Sequence, residues 1–187
     1  MTNDRKIISA PFGTWDSPLS AEDLAVSSIR LAEPRVFADQ IFWTEGRPAE
    51  SGRTAIVKFV NGQTFDLGPP ESNVRSSVHE YGGGAWIPTK FGVIGALFDD
   101  QRLYHFSNST SSPLTREPSI QCGYRYADPC LLTDEISTIW VFENHDRKGN
   151  EPTNSLILVD SGGSFKKIAE GHNFYSCLLY TSDAADE

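Results

Sequence analysis

From about residue 40 onward the chain is filled by runs of β-branched and aromatic residues, four to seven long, separated by Gly, Pro, Asn and Asp. Such runs read as short strands, here residues 40–45, 54–60, 64–67, 85–88, 93–98, 102–106, 137–143, 155–160 and 165–169. Between two of them stands Asn61-Gly62, a two-residue hairpin signal, because a type I′ turn needs positive φ at both central positions. Ser161-Gly162-Gly163-Ser164 reads as the same device, two residues longer. Helical periodicity is nearly absent. The one candidate is Ser20-Ala-Glu-Asp-Leu-Ala, where Ser20 can cap and Asp23 can answer it three residues later, predicting a short helix over residues 21–27.

The strands repeat. RTAIVKF at Arg53 is echoed by QRLYHF at Gln101 and NSLILVD at Asn154, 48 and 53 residues apart. Each is followed by a short strand ending near Leu67, Leu114 and Ile168, and preceded by an aromatic-bearing one: IFWTE, VIGALF and TIWVFE. A further strand opens each unit, around residues 29–36, 78–86 and 124–131, and HNFYS at His172 reads as the start of a fourth unit. Four antiparallel strands every 50 or so residues is the period of a β-propeller blade; a sandwich explains the turn spacing but not the longer period. The expected fold is all-β: a partial β-propeller of about three four-stranded antiparallel blades in an open arc, at residues 27–69, 74–116 and 121–170. Residues 1–26 form an N-terminal segment with the short helix. A single blade cannot bury both faces, so blades must stack on neighbours.

Composition narrows the partners. The 187 residues carry 16 Lys and Arg against 25 Asp and Glu, a formal charge of −9. That balance argues against nucleic acid or an anionic membrane, both of which need clustered Lys and Arg. The apolar runs fall far short of the roughly 20 residues a membrane helix needs. No apolar h-region follows the polar opening, so no signal peptide is expected. Three cysteines without a CxxC pair point to a reducing, cytoplasmic setting.

Three stretches carry a family resemblance: FGTWDSPLSAEDLA at residues 12–25, IFWTEGRPAESGRTAIV, and NVRSSVHEYGGGAW at residues 73–86. Together they resemble the N-terminal propeller of prolyl oligopeptidase-family serine peptidases, in particular the bacterial dipeptidyl aminopeptidase or acylaminoacyl-peptidase-like branch. DDQRLYHF, YRYADP, NEPTNSLILVD and GHNFYS fit the same pattern, which runs from about residue 13 to 176. VHEYGGGAW is its most specific element. The resemblance implies a C-terminal α/β-hydrolase domain with a Ser-Asp-His triad, hydrolysing short peptides through an acyl-enzyme while the propeller restricts access. The nucleophile of such a domain sits in a Gly-x-Ser-x-Gly elbow, and this sequence contains none. The chain is therefore expected to hold no catalytic residue, its partners being its own hydrolase domain and short peptides. A non-catalytic propeller serving as a binding scaffold is the alternative. Beyond Ser176 the string CLLYTSDAADE, residues 177–187, resembles a translated sequencing adapter and is expected to be a non-native tail. Without its Asp183, Asp186 and Glu187 the charge moves from −9 to −6, and only Cys122 and Cys130 remain.

His79, Glu80 and Tyr81 precede three glycines, and are the candidates to line the substrate channel. The glycines allow close approach of the backbone to a substrate. In the resembling family an acidic propeller side chain can hold a substrate's amino terminus, which makes Glu80 the implied anchor. The plainer reading is a glycine bulge in an innermost strand, with a structural polar pair. No metal is expected: His79, His105, His145 and His172 form no i, i+4 pair, and Cys122 and Cys130 lack zinc-ligand spacing. No cofactor is expected either, since residues 82–84 lack the Lys-Ser/Thr that completes a phosphate loop. The aromatics Phe42, Trp43, Trp86, Trp140 and Phe142 recur at equivalent positions, which favours packing between blades.

Overall fold

The computed structural model describes residues 9–20, 28–146 and 151–179. The helix expected over residues 21–27 lies outside them. Among the described residues twelve strands form three four-stranded antiparallel sheets, each a meander of consecutive hairpins. Sheet 1 comprises β1 (Arg30–Phe37), β2 (Gln40–Arg47), β3 (Arg53–Val60) and β4 (Gln63–Leu67). Sheet 2 comprises β5 (Trp86–Thr89), β6 (Gly92–Ala96), β7 (Leu103–Ser107) and β8 (Thr110–Pro113). Sheet 3 comprises β9 (Tyr124–Leu131), β10 (Thr138–Asn144), β11 (Thr153–Val159) and β12 (Phe165–Glu170). The three sheets do not close on one another.

The hairpin signals work as local chemistry. Asn61 and Gly62 both have positive φ, 51° and 79°, and set Val60 opposite Gln63. In sheet 3 the longer turn closes through the Asp160 amide donating to Ser164 O, with Gly163 at φ 79°.

Packing explains why the sheets read differently. Sheet 2 lies between the other two, so both of its faces are covered. On one side Trp86, Val93 and Phe106 meet Phe42, Ile56 and Leu67 of sheet 1. On the other, Ile87, Ile94 and Leu103 meet Tyr124, Tyr126, Trp140, Phe142 and Ile157 of sheet 3. Hence β5 and β6 are near-continuous apolar runs, while β10 alternates between two unlike faces. Four of the five recurring aromatics occupy these interfaces. Trp43 does not: alternation turns it away from Phe42, and its indole N–H donates to Glu45 Oε1 at 3.1 Å.

The first strands of the sheets are neighbours, with β5 against β1 on one side and β9 on the other. All three are edge strands and each carries a proline, Pro34, Pro88 and Pro129, where a missing N–H is tolerated. β1 and β9 also share a bulge within an Ala-acid-Pro sequence. Glu33 and Asp128 there adopt φ of 51° and 48°, and the register with the next strand slips. Asp128 joins sheets: its Oδ1 accepts the Gly84 amide at 2.7 Å and its own amide donates to Gly84 O at 2.7 Å.

One strand departs from expectation. The unit-opening strand expected over residues 78–86 begins only at Trp86; Val78–Glu80 form a 3-10 turn. His79 and Glu80 have φ of 54° and 66°, and two consecutive left-handed residues turn the chain where the single ones at Glu33 and Asp128 only bulge it.

Candidate functional site

The turn Val78–Glu80 packs against β9 and β10 of sheet 3, and its anchors are polar. The Ser77 amide donates to Oε1 of Gln101 at 2.7 Å, and that fully buried glutamine donates in turn to Phe98 O at 3.0 Å. Gly82 follows at φ 87°, where a Cβ would stand 2.8 Å from Ser76 O, so only glycine fits. A Cβ on Gly83 would stand 2.8 Å from Asp128 Oδ1. The close approach that Gly82 permits is thus within its own loop, and that of Gly83 is to the neighbouring sheet 3.

The three candidate residues part company here. His79 turns inward: its side chain is 4% exposed. Its Nδ1 lies 3.4 Å from Glu143 Oε1, its Nε2 lies 3.4 Å from Tyr175 O, and its ring packs on Phe174 at 4.7 Å. Glu80 turns outward, with its side chain 77% exposed, and accepts from Arg125 Nη1 at 2.6 Å. That hydrogen bond and the guanidinium charge hold its carboxyl below the usual carboxylate range. Tyr81 is exposed, with its ring 5.8 Å from that of His79.

Arg125, Glu143 and His145 complete the site, and sequence reasoning missed all three. Glu143 is the hub. Its side chain is 5% exposed; Oε2 accepts from His145 Nε2 at 2.8 Å and from the His79 amide at 3.3 Å. Arg125 Nη1 stands 3.7 Å from the same oxygen while donating to Ser77 O at 2.8 Å. A signal was present in β10. Glu143 follows Ile139 and Val141 at period two, so it interrupts a face that is otherwise apolar, and a buried charge of that kind is paired.

These side chains open onto a cleft of about 750 Å³ whose lining includes His79, Glu80, Glu143, His145, His172 and Phe174. Glu151 and Glu170 add two more carboxylates. The cleft can therefore receive a cationic or hydrogen-bond-donating group. Among the described residues no set of three His, Cys, Asp or Glu side chains is arranged to hold a metal ion. Cys122 sits in the turn before β9 and Cys130 within it; both are free, and burial pushes the Cys122 thiol up. Among the described residues no catalytic residue is evident.

No protein-family model matches the chain, and no curated protein matches it significantly. Solved structures do. A puromycin-hydrolysing peptidase of Mycobacterium tuberculosis is 30% identical, with a TM-score of 0.80 over 90% of this chain. Puromycin hydrolase is likewise 30% identical over 90%, with a TM-score of 0.75, and a mutant of it complexed with PGG matches at 0.75 over 89%. The chain spans 28% of the length of each of these peptidases. It is homologous to part of a serine peptidase of the prolyl oligopeptidase family.

Proposed function

We propose that the chain is a propeller portion of a serine peptidase that hydrolyses short peptides, guiding and restricting their access to an α/β-hydrolase domain in the longer protein. The observation that carries this is the agreement in both sequence and fold with puromycin-hydrolysing peptidases, at 30% identity and a TM-score of 0.80. The blades would span residues 27–69, 74–116 and 121–170, one for each sheet. Glu80 is proposed as the substrate anchor: an exposed carboxylate, kept ionised by Arg125, at the rim of an acidic cleft, suited to a substrate's amino terminus. The free thiols support a reducing, cytoplasmic setting.

The test begins with the gene downstream of the matched region, which should encode a Gly-x-Ser-x-Gly elbow. A stop codon directly after further blades would favour the binding scaffold instead. The longer protein should cleave puromycin or short peptides with free amino termini, and the 187-residue chain alone should cleave neither. Glu80→Gln should raise KM for a free-amino peptide about 10–100-fold, the worth of a charge-assisted hydrogen bond. An N-acetylated peptide should be unaffected, and equal effects on both would sink the anchor role.

A further inference from the structure

We infer that Glu143 is a positioning residue, whose buried carboxylate holds the strained His79–Glu80 turn against sheet 3 with a grip that loosens as the pH rises. The consequence for catalysis rests on the proposed contact between Glu80 and substrate; the grip itself rests on geometry.

His79 and Glu80 are consecutive non-glycine residues in the left-handed region. Such residues persist only where their surroundings over-determine them, and Glu143 supplies the part of that restraint that comes from β10, beside Gln101 on the Ser77 amide and Phe174 on the His79 ring. One carboxylate reaches the turn by three routes: the His79 amide on Oε2, the His79 ring beside Oε1, and Arg125, which ties Glu143 to Ser77 O and Glu80. It projects from β10, a strand paired on both sides by β9 and β11 and therefore a rigid base. The position of the Glu80 carboxylate thus follows from Glu143, a residue 63 places on that touches no part of Glu80 in sequence.

The pH dependence follows from donor counting. Both ring nitrogens of His79 face acceptors, Glu143 Oε1 and the Tyr175 carbonyl. The imidazolium has an N–H for each; the neutral ring has one, and sets a lone pair against the other oxygen. The charged and titratable groups around this ring are Glu143 and His145 from β10 and its end, Arg125 from β9, and Glu80 and Tyr81 from the turn. His172 and Tyr175 follow β12, and Glu151 and Glu170 stand across the cleft.

Hydrogen–deuterium exchange of the peptide covering residues 77–81 in the longer protein tests the inference, with rates corrected for intrinsic chemical exchange. Wild-type protection of this turn should fall from mildly acidic to mildly alkaline pH. Glu143→Leu fills similar space without an acceptor, and should exchange about tenfold faster in the turn while β10 and β11 stay protected. Glu143→Gln offers an oxygen to the His79 amide and an NH₂ to the neutral ring, so it should keep the turn protected and flatten its pH profile. Wild-type exchange in Glu143→Leu, or a wild-type pH profile in Glu143→Gln, overturns the inference. If leucine unfolds the sheet, the glutamine profile alone decides. A turn loosened in Glu143→Leu with KM unchanged for a free-amino peptide would leave the grip standing and remove Glu80 from substrate binding.

Discussion

Trp140 has no solvent exposure; its indole N–H donates to Thr138 Oγ1 at 2.8 Å and its ring meets Tyr126 edge-on at 6.5 Å. Trp140→Ala would empty the interface between sheets 2 and 3, at an expected cost of about 3–5 kcal/mol, read as a lowered urea midpoint. Acid acts through a different pair. Arg47 grips Asp66 with two hydrogen bonds, 2.5 and 2.6 Å, and holds its carboxyl below the ordinary 3.8. A depressed carboxylate contributes stability that is complete above the unfolded value and lost as pH falls through the folded one. Arg47→Met should therefore lower the thermal midpoint at about pH 5 and have little effect near about pH 2, by no more than about 1 kcal/mol for so exposed a partner. At this scale the sequence was partly legible. His79 and Glu80 stood out beside their glycines, yet nothing local ties them to Arg125 or Glu143, which approach only once sheets 2 and 3 have packed.

Strands and turns were the most legible level, because each sheet is a run of hairpins whose chemistry is local. Two turn glycines nevertheless differ in kind. A Cβ on Gly62 would meet nothing within 4 Å, so Gly62→Ala should cost only the left-handed penalty, about 1–2 kcal/mol. A Cβ on Gly163 would stand 1.7 Å from Leu114 O, so Gly163→Ala must also push the β11–β12 hairpin off sheet 2. Paired urea titrations should show Gly163→Ala as clearly the more damaging; equal losses would show that the turn yields freely. The element misread was the start of β5. Residues 78–86 open on a valine and close on Ala-Trp as a strand could, but the backbone there is held in a turn by Gln101, Glu143 and Arg125, and no pattern within the segment records them.

At the scale of the molecule the 50-residue period revealed the architecture, since each unit is contiguous in sequence and the core between units falls on alternating positions. What covers the outer faces is not written in those positions. Leu31, Val36, Ile41 and Phe59 are exposed on sheet 1, and Ile41 pairs directly with Phe59 across β2 and β3. An apolar sheet face left in water drives association, so the 187-residue chain alone should sediment as concentration-dependent oligomers. Ile41→Lys combined with Phe59→Glu should shift it toward monomer, and an unchanged distribution would place the contact elsewhere.

The prolines of the first strands bear on what can pair with these edges. β1, β5 and β9 present backbone edges of the kind that ordinarily recruit an additional strand. Pro34, Pro88 and Pro129 each delete a donor from those edges, and the bulges at Glu33 and Asp128 break the spacing of two of them. A strand approaching these edges finds no uninterrupted ladder on which to zipper, so the edges resist the edge-to-edge pairing that open strands otherwise invite.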